Sequence, residues 1–252
     1  MKNIFITGVS SGIGKALAYM YAKQKCTIGI SARRVEILNN IADECEKLGG
    51  KPIVYELDVC DQKKCIIVAN NFLEITGGID CVIANAGIGG DDSLYSGSSR
   101  NINQILTTNI LGVTNTLMPF IPIMKKQKTG SLVCISSVAS FMPLPYHGGY
   151  ASSKIAIRMI FDSWRPTLQR YNIKTISICP GFIDTPMVKG PARKWPMKSA
   201  NNAAKKFIKI INEGTSTYVY PWYYKILIWI ARIIPNTIYN WLIKVIFHKP
   251  II

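Results

Sequence analysis

The chain has 252 residues, 48% of them hydrophobic, so it can bury one large core, and we predict a single domain followed by a tail. Its formal charge is +16, and the excess falls in the second half: residues 1–122 hold 11 basic and 11 acidic side chains, whereas residues 123–252 hold 19 and 3. This asymmetry indicates an anionic partner, namely a phosphorylated cofactor, an acidic lipid surface or nucleic acid, and does not choose among them.

From the cysteines and the first residues we expect neither a disulfide framework nor a signal peptide. The seven cysteines are odd in number, lack CxxC pairs and lie mostly in apolar runs, which is typical of small core residues. The opening sequence MKNIFITG reaches a glycine turn before an apolar segment of signal-peptide length can form. We therefore expect a reducing, cytoplasmic compartment, with the start of the chain belonging to the mature fold.

A strand over residues 3–7 is predicted to run into the glycine-rich turn TGVSSGIG, after which residues 15–25 have helical spacing. Gly8, Gly12 and Gly14 allow the backbone to turn tightly and to approach a pyrophosphate, whose charge is met by free amides at the helix start. The order of strand, glycine turn and helix favours a dinucleotide site, with a simple turn as the alternative.

The second predicted strand, residues 26–31, ends in Ala32-Arg33-Arg34, where a protein that prefers NAD carries an acid for the ribose hydroxyls. No acid is present at this point of the sequence. Arg33, together with Arg34 and Ser10 or Ser11, is instead suited to a 2′-phosphate, so the sequence predicts NADP(H) in preference to NAD(H). The alternative is that two solvated arginines simply open the following helix.

Helices and strands then alternate, which predicts a parallel sheet in a doubly wound α/β fold. The predicted order is helix 35–48, strand 52–57, helix 61–76 and strand 79–84. Asp58-Val59 follows the first of these strands, a natural place for a side chain to meet an adenine edge, although Asp58 is equally suited to capping the next helix. The second strand ends at Asn85-Ala86-Gly87.

The segment 88–100 is polar and glycine-rich, which predicts a surface loop, and residues 101–126 are predicted to form a long helix interrupted at Pro119 and Pro122. Asn109 lies within this helix among apolar neighbours. An Asn in mid-helix is usually a satisfied polar group, so this residue alone predicts no function.

The stretch from Ser137 to Lys154 contains three candidate catalytic side chains, a hydroxyl, a phenol and an ammonium. Tyr150 and Lys154 are four residues apart, so on a helix they share a face, and a nearby ammonium favours the phenolate form of a tyrosine. Ser137 follows the predicted buried strand 132–135, whose carboxyl end places its hydroxyl near the same substrate oxygen. The pattern predicts an acid/base site, and an ordinary helical Tyr–Lys pair is the alternative on spacing alone.

The last predicted elements of the sheet are helix 151–170, strand 173–179, helix 203–212 and strand 217–220. Pro180 and Gly181 mark a sharp turn after residue 179, and Thr185 follows at the carboxyl edge of the sheet, where its hydroxyl suits a nicotinamide carboxamide. Residues 187–200 are predicted to form a mobile lid over an apolar substrate.

Over residues 3–220 these motifs, in this order, resemble the short-chain dehydrogenase/reductase family. TGVSSGIG is similar to the family's TGxxxGxG cofactor loop, Asn85-Ala86-Gly87 to its NNAG motif and PGFIDT to its PGxxxT segment. Ala84 stands where the family often has the first Asn, a departure that concerns a local sheet contact and no catalytic group. His147 is at no family position and is interpreted as a loop residue.

The resemblance implies a role for each matched position. Tyr150 is the acid/base, Lys154 lowers its pKa and binds the nicotinamide ribose, Ser137 orients the carbonyl, and Asn109 helps to hold a proton-relay water. The implied fold is a Rossmann-type sheet of about seven parallel strands flanked by helices, without a metal site. The implied cofactor-binding residues are Gly8, Ser10, Ser11, Gly12, Ile13, Gly14, Arg33, Asp58, Val59, Asn85, Ala86, Gly87, Tyr150, Lys154, Pro180, Gly181, Ile183 and Thr185.

Residues 221–252 form a tail after the predicted Rossmann domain of residues 1–220 and are dense in Ile, Trp and Tyr. The apolar runs 225–234 and 238–247 are each shorter than the roughly 20 residues of a spanning helix, and Pro235 separates them. Aromatic and basic residues recur in both runs, which favours two helices lying in a membrane interface. A dimer contact or a lid over the substrate site is the alternative.

The sequence therefore predicts an NADPH-dependent oxidoreductase that interconverts a carbonyl and a secondary alcohol on a hydrophobic, lipid-like substrate. A cofactor-sensing protein on the same fold is the alternative, and the four filled catalytic positions argue against it. We expect a homo-oligomer with peripheral membrane contact. Nucleic acid is not an expected partner, since the basic residues lie in no recognised reading motif.

Overall fold

The computed structural model describes residues 2–188, 193, 195–235, 237–238 and 241. The strands are β1 (Asn3–Thr7), β2 (Thr27–Ala32), β3 (Lys51–Glu56), β4 (Cys81–Ala84), β5 (Gly130–Ile135), β6 (Ile173–Pro180), β7 (Ile183–Asp184), β8 (Lys198–Ser199) and β9 (Thr217–Tyr220). Seven of them form one parallel sheet in the order β3-β2-β1-β4-β5-β6-β9, while β7 and β8 pair separately. The predicted doubly wound α/β fold with seven parallel strands is confirmed.

The helices are α1 (Gly12–Ala22), α2 (Val35–Lys47), α3 (Gln62–Thr76), α4 (Arg100–Leu106), α5 (Gly112–Leu117), α6 (Ile121–Gln127), α7 (Gly148–Gln169), α8 (Ala200–Glu213) and α9 (Tyr223–Ile233). They cover both faces of the sheet, because the strands are apolar on both sides. One core layer contains Leu17, Leu38 and Phe207 from α1, α2 and α8. The other contains Phe72 and Phe161 from α3 and α7.

The strand predicted over residues 79–84 begins two residues later, at Cys81, although Ile79 is buried. The backbone of Ile79 is satisfied by a side chain instead of a neighbouring strand. Its N–H donates to Gln127 Oε1 at 3.0 Å, and its carbonyl accepts from Gln127 Nε2 at 2.8 Å. The apolar character of Ile79 therefore predicted its burial correctly but placed the start of the strand too early. Apolar periodicity does not indicate which group forms hydrogen bonds with the backbone.

The helix predicted over residues 101–126, with an interruption at Pro119 and Pro122, is broken twice into short segments. A π-helical turn, Thr107–Leu111, separates α4 from α5, and a 3₁₀ turn, Met118–Phe120, separates α5 from α6. Pro119 and Pro122 explain the second interruption, because each lacks a backbone N–H. No sequence feature marked the first one, which falls at Asn109.

The cap of α3 is Asp61, whose carboxylate accepts from the Lys64 N–H at 2.9 Å. Asp58, for which capping was the alternative role, instead accepts from the Cys60 N–H at 3.0 Å. Asp58 follows the carboxyl end of β3, and its carboxylate lies 3.9 Å from the Arg33 guanidinium.

The start of the tail is continuous with the core. Ile228 of α9 is 6% exposed and packs with Cys179 and Val219 of the last two strands of the sheet. Most of the second tail helix, predicted over 238–247, lies outside the described residues, as do lid positions 189–192 and 194. In the part of the chain that the structure describes, no helix has the length and apolarity needed to cross a membrane.

Candidate active site

The predicted site residues converge at the carboxyl ends of the strands, where the chain reverses the strand order by placing β2 and β4 on opposite sides of β1. In open α/β sheets this position leaves a crevice between the loops that follow the two central strands. The glycine turn follows β1, Asn85-Ala86-Gly87 follows β4, and Ser137 follows β5. The fold thus brings motifs that are far apart in sequence to one cleft.

The glycine turn is shaped as a cradle that side chains would fill. Gly8 and Gly12 have φ angles of 71° and 57°, in the left-handed region that favours glycine. A Cβ on Gly8 would lie 2.7 Å from the Ala86 Cα, and a Cβ on Gly14 would lie 2.5 Å from the Gly8 carbonyl oxygen. The turn opens onto the N-terminus of α1, so its geometry suits the pyrophosphate of a dinucleotide.

Asn85 and Thr7 hold this turn in place. The Asn85 side-chain amide donates to the carbonyls of Thr7 at 2.9 Å and Gly8 at 3.1 Å. In return, the Thr7 hydroxyl accepts from the backbone N–H groups of Asn85 and Ala86, both at 3.2 Å. Thr7 was not among the predicted site residues, although it is the first residue of the glycine motif; its buried hydroxyl joins the loops after β1 and β4.

Tyr150 lies in the first turn of α7 and is hydrogen-bonded to the Ser137 hydroxyl. Ser137 also accepts from the Ala139 N–H at 3.1 Å and approaches the Pro180 carbonyl at 3.5 Å. These contacts fix the hydroxyl between α7 and the turn after β6. The predicted pair of hydroxyl and phenol is therefore assembled in the structure.

Burial raises the pKa of the Tyr150 phenol, and the hydrogen bond with Ser137 opposes this shift without reversing it. The direction is opposite to the lowering expected from a neighbouring ammonium. Because the ordinary phenol pKa is about 10, the group is protonated at neutral pH and is prepared to donate a proton.

Lys154 is 5% exposed, and its Nζ lies 5.7 Å from the centroid of the Tyr150 ring. The Nζ donates to the Ile135 carbonyl at 2.8 Å, which aims the ammonium into the cleft at the end of β5. Burial lowers the pKa of Lys154 to about 8, because a charged amine is poorly solvated there. Gly87 borders the same atom, since a Cβ at Gly87 would lie 3.5 Å from Nζ.

Asn109 lies in the π-helical turn and is completely buried. Its side chain bonds both backbone groups of Ile88, accepting from the N–H at 2.8 Å and donating to the carbonyl at 2.9 Å. It also donates to the Ser153 hydroxyl of α7 at 3.0 Å. Such turns insert one extra residue into a helix, often at functional sites, and this one directs Asn109 towards the loop after β4.

The two arginines after β2 have different partners. The Arg34 guanidinium donates to the Ser10 hydroxyl of the glycine turn at 2.8 Å. Arg33 is largely exposed and lies 3.9 Å from the Asp58 carboxylate. Both cations therefore lie on the β2 side of the cleft. Val59, next to Asp58, is buried, and its carbonyl accepts from the Asn115 side chain at 3.0 Å.

The PGFIDT segment closes the other side of the cleft. A Cβ on Gly12 would lie 3.0 Å from Thr185 Cγ2, so Thr185 contacts the glycine turn of β1. Gly181 is covered by the Tyr224 ring of α9, whose phenol is hydrogen-bonded to the Phe182 backbone. Ile183 is buried in the core, and Ile13 of α1 packs against the same core layer. These two side chains anchor the start of α1 and the turn after β6 to that core layer.

Besides Thr7, a second buried residue of the region was not predicted from the sequence. Asp92, placed in a predicted surface loop, is 6% exposed and hydrogen-bonds the start of α7. The interpretation of His147 as a loop residue is refined: it precedes α7, and its Nδ1 lies 2.6 Å from the Gly90 carbonyl. Nothing local in the sequence marks either contact, because each joins loops that are distant along the chain.

Comparison with known proteins agrees with this arrangement. A family model described as short chain dehydrogenase matches residues 2–195. The 3-oxoacyl-[acyl-carrier-protein] reductase FabG of Thermotoga maritima is 33% identical over 205 residues, which cover 81% of this chain and 82% of the relative.

Solved structures include an alcohol dehydrogenase of Thermococcus sibiricus in complex with 5-hydroxy-NADP, with a TM-score of 0.78, 27% identity and coverage of 87% of this chain and 94% of the other. A short chain dehydrogenase/reductase of Burkholderia phymatum in complex with NAD has a TM-score of 0.80 at 22% identity and covers 86% of this chain and 88% of the other, which shows the shared fold. Nicotinamide dinucleotides are the cofactors bound by this fold, and the glycine cradle fits one. By its family match and this architecture, the chain belongs to the short-chain dehydrogenase/reductase family of oxidoreductases.

Proposed function

We propose that this protein uses NADPH in preference to NADH to interconvert a carbonyl and a secondary alcohol on a hydrophobic, lipid-like substrate. The observation that carries the proposal is the hydrogen-bonded pair of Ser137 and Tyr150, with the Lys154 ammonium beside it and the glycine cradle next to it. A hydroxyl, a phenol and a cation at one point are suited to proton transfer at an oxygen that gains or loses negative charge.

The protein groups have separate tasks in this reaction. When bound, the nicotinamide cofactor supplies or accepts the hydride. Ser137 hydrogen-bonds and orients the substrate oxygen, and Tyr150 transfers a proton to or from that oxygen. The raised pKa of the phenol keeps it protonated at neutral pH, which favours its use as the acid in carbonyl reduction. Lys154 supplies positive charge near the phenol and the ribose, and the residues of the cradle and Thr185 hold the dinucleotide.

Two features support an apolar substrate. Met187 borders the cleft, since a Cβ at Gly89 would lie 3.8 Å from Met187 Cγ and 3.9 Å from Tyr150 Cδ2. Trp195 of the predicted lid stacks on Phe182 at 6.2 Å between ring centroids. The Thermotoga relative is by name a reductase of 3-oxoacyl chains, an apolar class of carbonyl compound.

The test is NADPH oxidation by the purified full-length chain with a panel of ketones, aldehydes and 3-oxo lipids of increasing chain length. Turnover that rises with substrate hydrophobicity is the expected result. A protein that binds NADPH and oxidises it with no member of the panel would instead favour a cofactor sensor on the same fold.

Replacing Arg33 with Ala is expected to weaken NADPH binding about 10- to 100-fold and NADH binding little. A charged hydrogen bond to the 2′-phosphate contributes roughly 1.5–3 kcal/mol, and only NADPH has that group. The measurement is a fluorescence titration of both cofactors, with Lys51→Ala as the control, because Lys51 is an exposed cation at the opposite end of the sheet. Equal affinity of the wild type for NADPH and NADH would contradict the preference.

We also propose peripheral membrane contact through the tail. Along α9 and just beyond it, a set of large apolar side chains is at least two-fifths exposed: Trp222, Ile226, Leu227, Trp229, Ile230, Ile233, Ile238 and Trp241. Lys225 and Arg232 lie on the same helix, and the described residues of α9 include no acid. Exposed tryptophans with flanking cations are typical of interfacial helices.

The double variant Trp222→Gln/Trp229→Gln is expected to lose most binding to anionic vesicles in a co-sedimentation assay. Apolar burial contributes about 25 cal/mol per Å², whereas each cation near the surface adds about 1 kcal/mol that salt screens. High salt should therefore weaken wild-type binding without abolishing it. Ile67→Gln/Ile75→Gln on α3 is the control, because both residues are exposed and distant in sequence from the tail. Equal sedimentation of the tryptophan variant would exclude this contact.

We further propose a homo-oligomer that covers exposed apolar side chains at the two ends of α5 and on α7. These are Leu111, Met118, Ile155 and Met159, each more than one third exposed. Met118→Glu/Met159→Glu is expected to yield monomers in sedimentation-velocity experiments, because charges would be buried at the contact. A wild-type chain that is monomeric at micromolar concentration would refute the proposal.

A further inference from the structure

Asp92 closes a loop onto the catalytic helix. Its two carboxylate oxygens accept hydrogen bonds from the backbone N–H groups of Gly148 at 2.5 Å and Gly149 at 2.9 Å. Its own N–H donates to the Tyr146 carbonyl at 2.8 Å. One side chain in the loop after β4 therefore satisfies the first two amides of α7, which begins with Gly148.

A helix start needs such partners, because its first amides have no carbonyl within the helix and carry partial positive charge. His147, the residue at the N-cap position of α7, makes no side-chain capping bond and instead contacts the Gly90 carbonyl. The capping group is thus supplied by a residue more than 50 positions away in sequence. Tyr150 follows directly after the two capped amides.

The fit between Asp92 and the two glycines is close. A Cβ on Gly148 would lie 2.9 Å from Asp92 Oδ2, and a Cβ on Gly149 would lie 3.0 Å from Asp92 Oδ1. The Gly149 position is also blocked by Ile102 Cγ1 at 2.6 Å. The absence of side chains at 148 and 149 is what allows a buried carboxylate to reach the backbone.

The same loop borders the phenol of Tyr150. Gly89 is near the Tyr150 ring, since a Cβ added at Gly89 would lie 3.9 Å from Tyr150 Cδ2. On one side of Gly89 the chain is held by Asn109 through Ile88, and on the other side it is held by Asp92. Displacing either anchor would move the wall of the cleft relative to the acid/base group.

We propose that Asp92 is a positioning residue that fixes both the first turn of α7 and the Gly89 wall, and so sets the distance between substrate and Tyr150. The inference rests on the proposed function of Tyr150. Asp92 transfers no proton; it acts by orienting Tyr150.

The decisive variant is Asp92→Asn, which keeps the shape of the side chain but faces an NH₂ group towards one of the two backbone N–H donors. Asp91→Asn is the matched control, because Asp91 is exposed and its carboxylate accepts only from the Ser93 N–H among the hydrogen bonds of the described structure. Both full-length variants are compared with the wild type for kcat, KM, NADPH affinity and hydrogen exchange of residues 146–154.

We expect Asp92→Asn to lower kcat/KM by about 10- to 100-fold, since misplacement by about 1 Å can cost that much. NADPH affinity should not change, exchange should accelerate only at the start of α7, and Asp91→Asn should match the wild type. Normal kcat/KM in Asp92→Asn would overturn the proposal, and so would a loss of rate accompanied by loss of NADPH binding and of protection throughout the chain, which is the signature of a general folding defect.

Failure of the proposed function is distinguishable from failure of this inference. If the wild type oxidises NADPH with no carbonyl compound, the oxidoreductase proposal fails, and the exchange measurement alone decides the role of Asp92. Faster exchange confined to 146–154 in Asp92→Asn would still support it, and unchanged exchange there would reject it.

Discussion

Tyr150→Phe should lose nearly all turnover, by about 100- to 10,000-fold in kcat, because a positioned proton donor contributes that much to a reaction of this type. The substitution removes one oxygen from a half-buried side chain and leaves the ring in place. NADPH affinity should remain close to that of the wild type, since the phenol transfers a proton and forms little of the cofactor cradle. The loss should therefore fall on kcat more than on cofactor binding.

The control for this variant is Tyr171→Phe, which removes a phenol just beyond the C-terminal end of α7. It should leave kcat unchanged. Stopped-flow measurement of NADPH oxidation under single-turnover conditions separates chemistry from product release. A Tyr150→Phe enzyme that turns over at the wild-type rate would show that another group donates the proton.

Lys154→Met should damage both turnover and cofactor affinity, which distinguishes it from the variant at the phenol. The ammonium is directed into the cleft by the Ile135 carbonyl and lies close to both Tyr150 and Gly87. Methionine keeps much of the volume but removes the charge. Unchanged NADPH affinity in a fluorescence titration would remove the role of Lys154 in binding the ribose and leave only the effect on the phenol.

The same variant tests the lowered pKa of Lys154 through stability. The pKa of Lys154 is about 8 in the folded protein, below the ordinary value of 10.5, so between these pH values the unfolded chain holds a proton that the folded chain has lost. The contribution of this group to the free energy of unfolding therefore rises with pH in that window, and below pH 8 its cost is fully present.

Without cofactor, the wild type should gain stability relative to Lys154→Met between pH 7 and pH 9.5, by up to a few kcal/mol at about 1.4 kcal/mol per pKa unit. Burial raises the pKa of the neighbouring thiols Cys134 and Cys179 to about 12 and about 11, and their contributions cancel in the comparison because both proteins carry them. Urea unfolding at several pH values provides the measurement. A constant difference between the two proteins would mean that Lys154 keeps an ordinary pKa.

Local patterns predicted much of the fold and of the candidate site, because strands, the glycine turn and the Tyr–Lys spacing are properties of short segments. Gly8, Gly12 and Gly14 could be placed between a strand and a helix from the apolar run before them and the helical spacing after them. Ser137, Tyr150 and Lys154 were candidates from their spacing, whereas Asn109 and the four catalytic roles came from the resemblance to the short-chain dehydrogenase/reductase family. Each of these signals is carried by residues that are neighbours along the chain.

The features that the sequence did not predict depend on contacts between distant segments. Asp92 was predicted to be a polar loop residue, and its role at the start of α7 is visible only in the folded structure. The π-helical turn at Asn109 adds one residue to a helix whose apolar periodicity continues on both sides. Ile79 reads as part of a strand because it is buried, yet Gln127 takes its backbone hydrogen bonds. Apolar periodicity predicts which residues are buried. The three features above depend instead on which distant residue forms the contact.

The ring of Tyr224 occupies the space where a side chain at Gly181 would stand. Side chains at positions 181 and 224 therefore compete for the same space, and the effect of a mutation at one position depends on the residue at the other. Alanine at 181 should be tolerated only if residue 224 becomes small, so random mutagenesis followed by selection should recover changes at 181 and 224 as linked pairs. An insertion at the start of the tail would separate the pair and leave the turn after β6 uncovered, which sets a limit on where the chain can be lengthened.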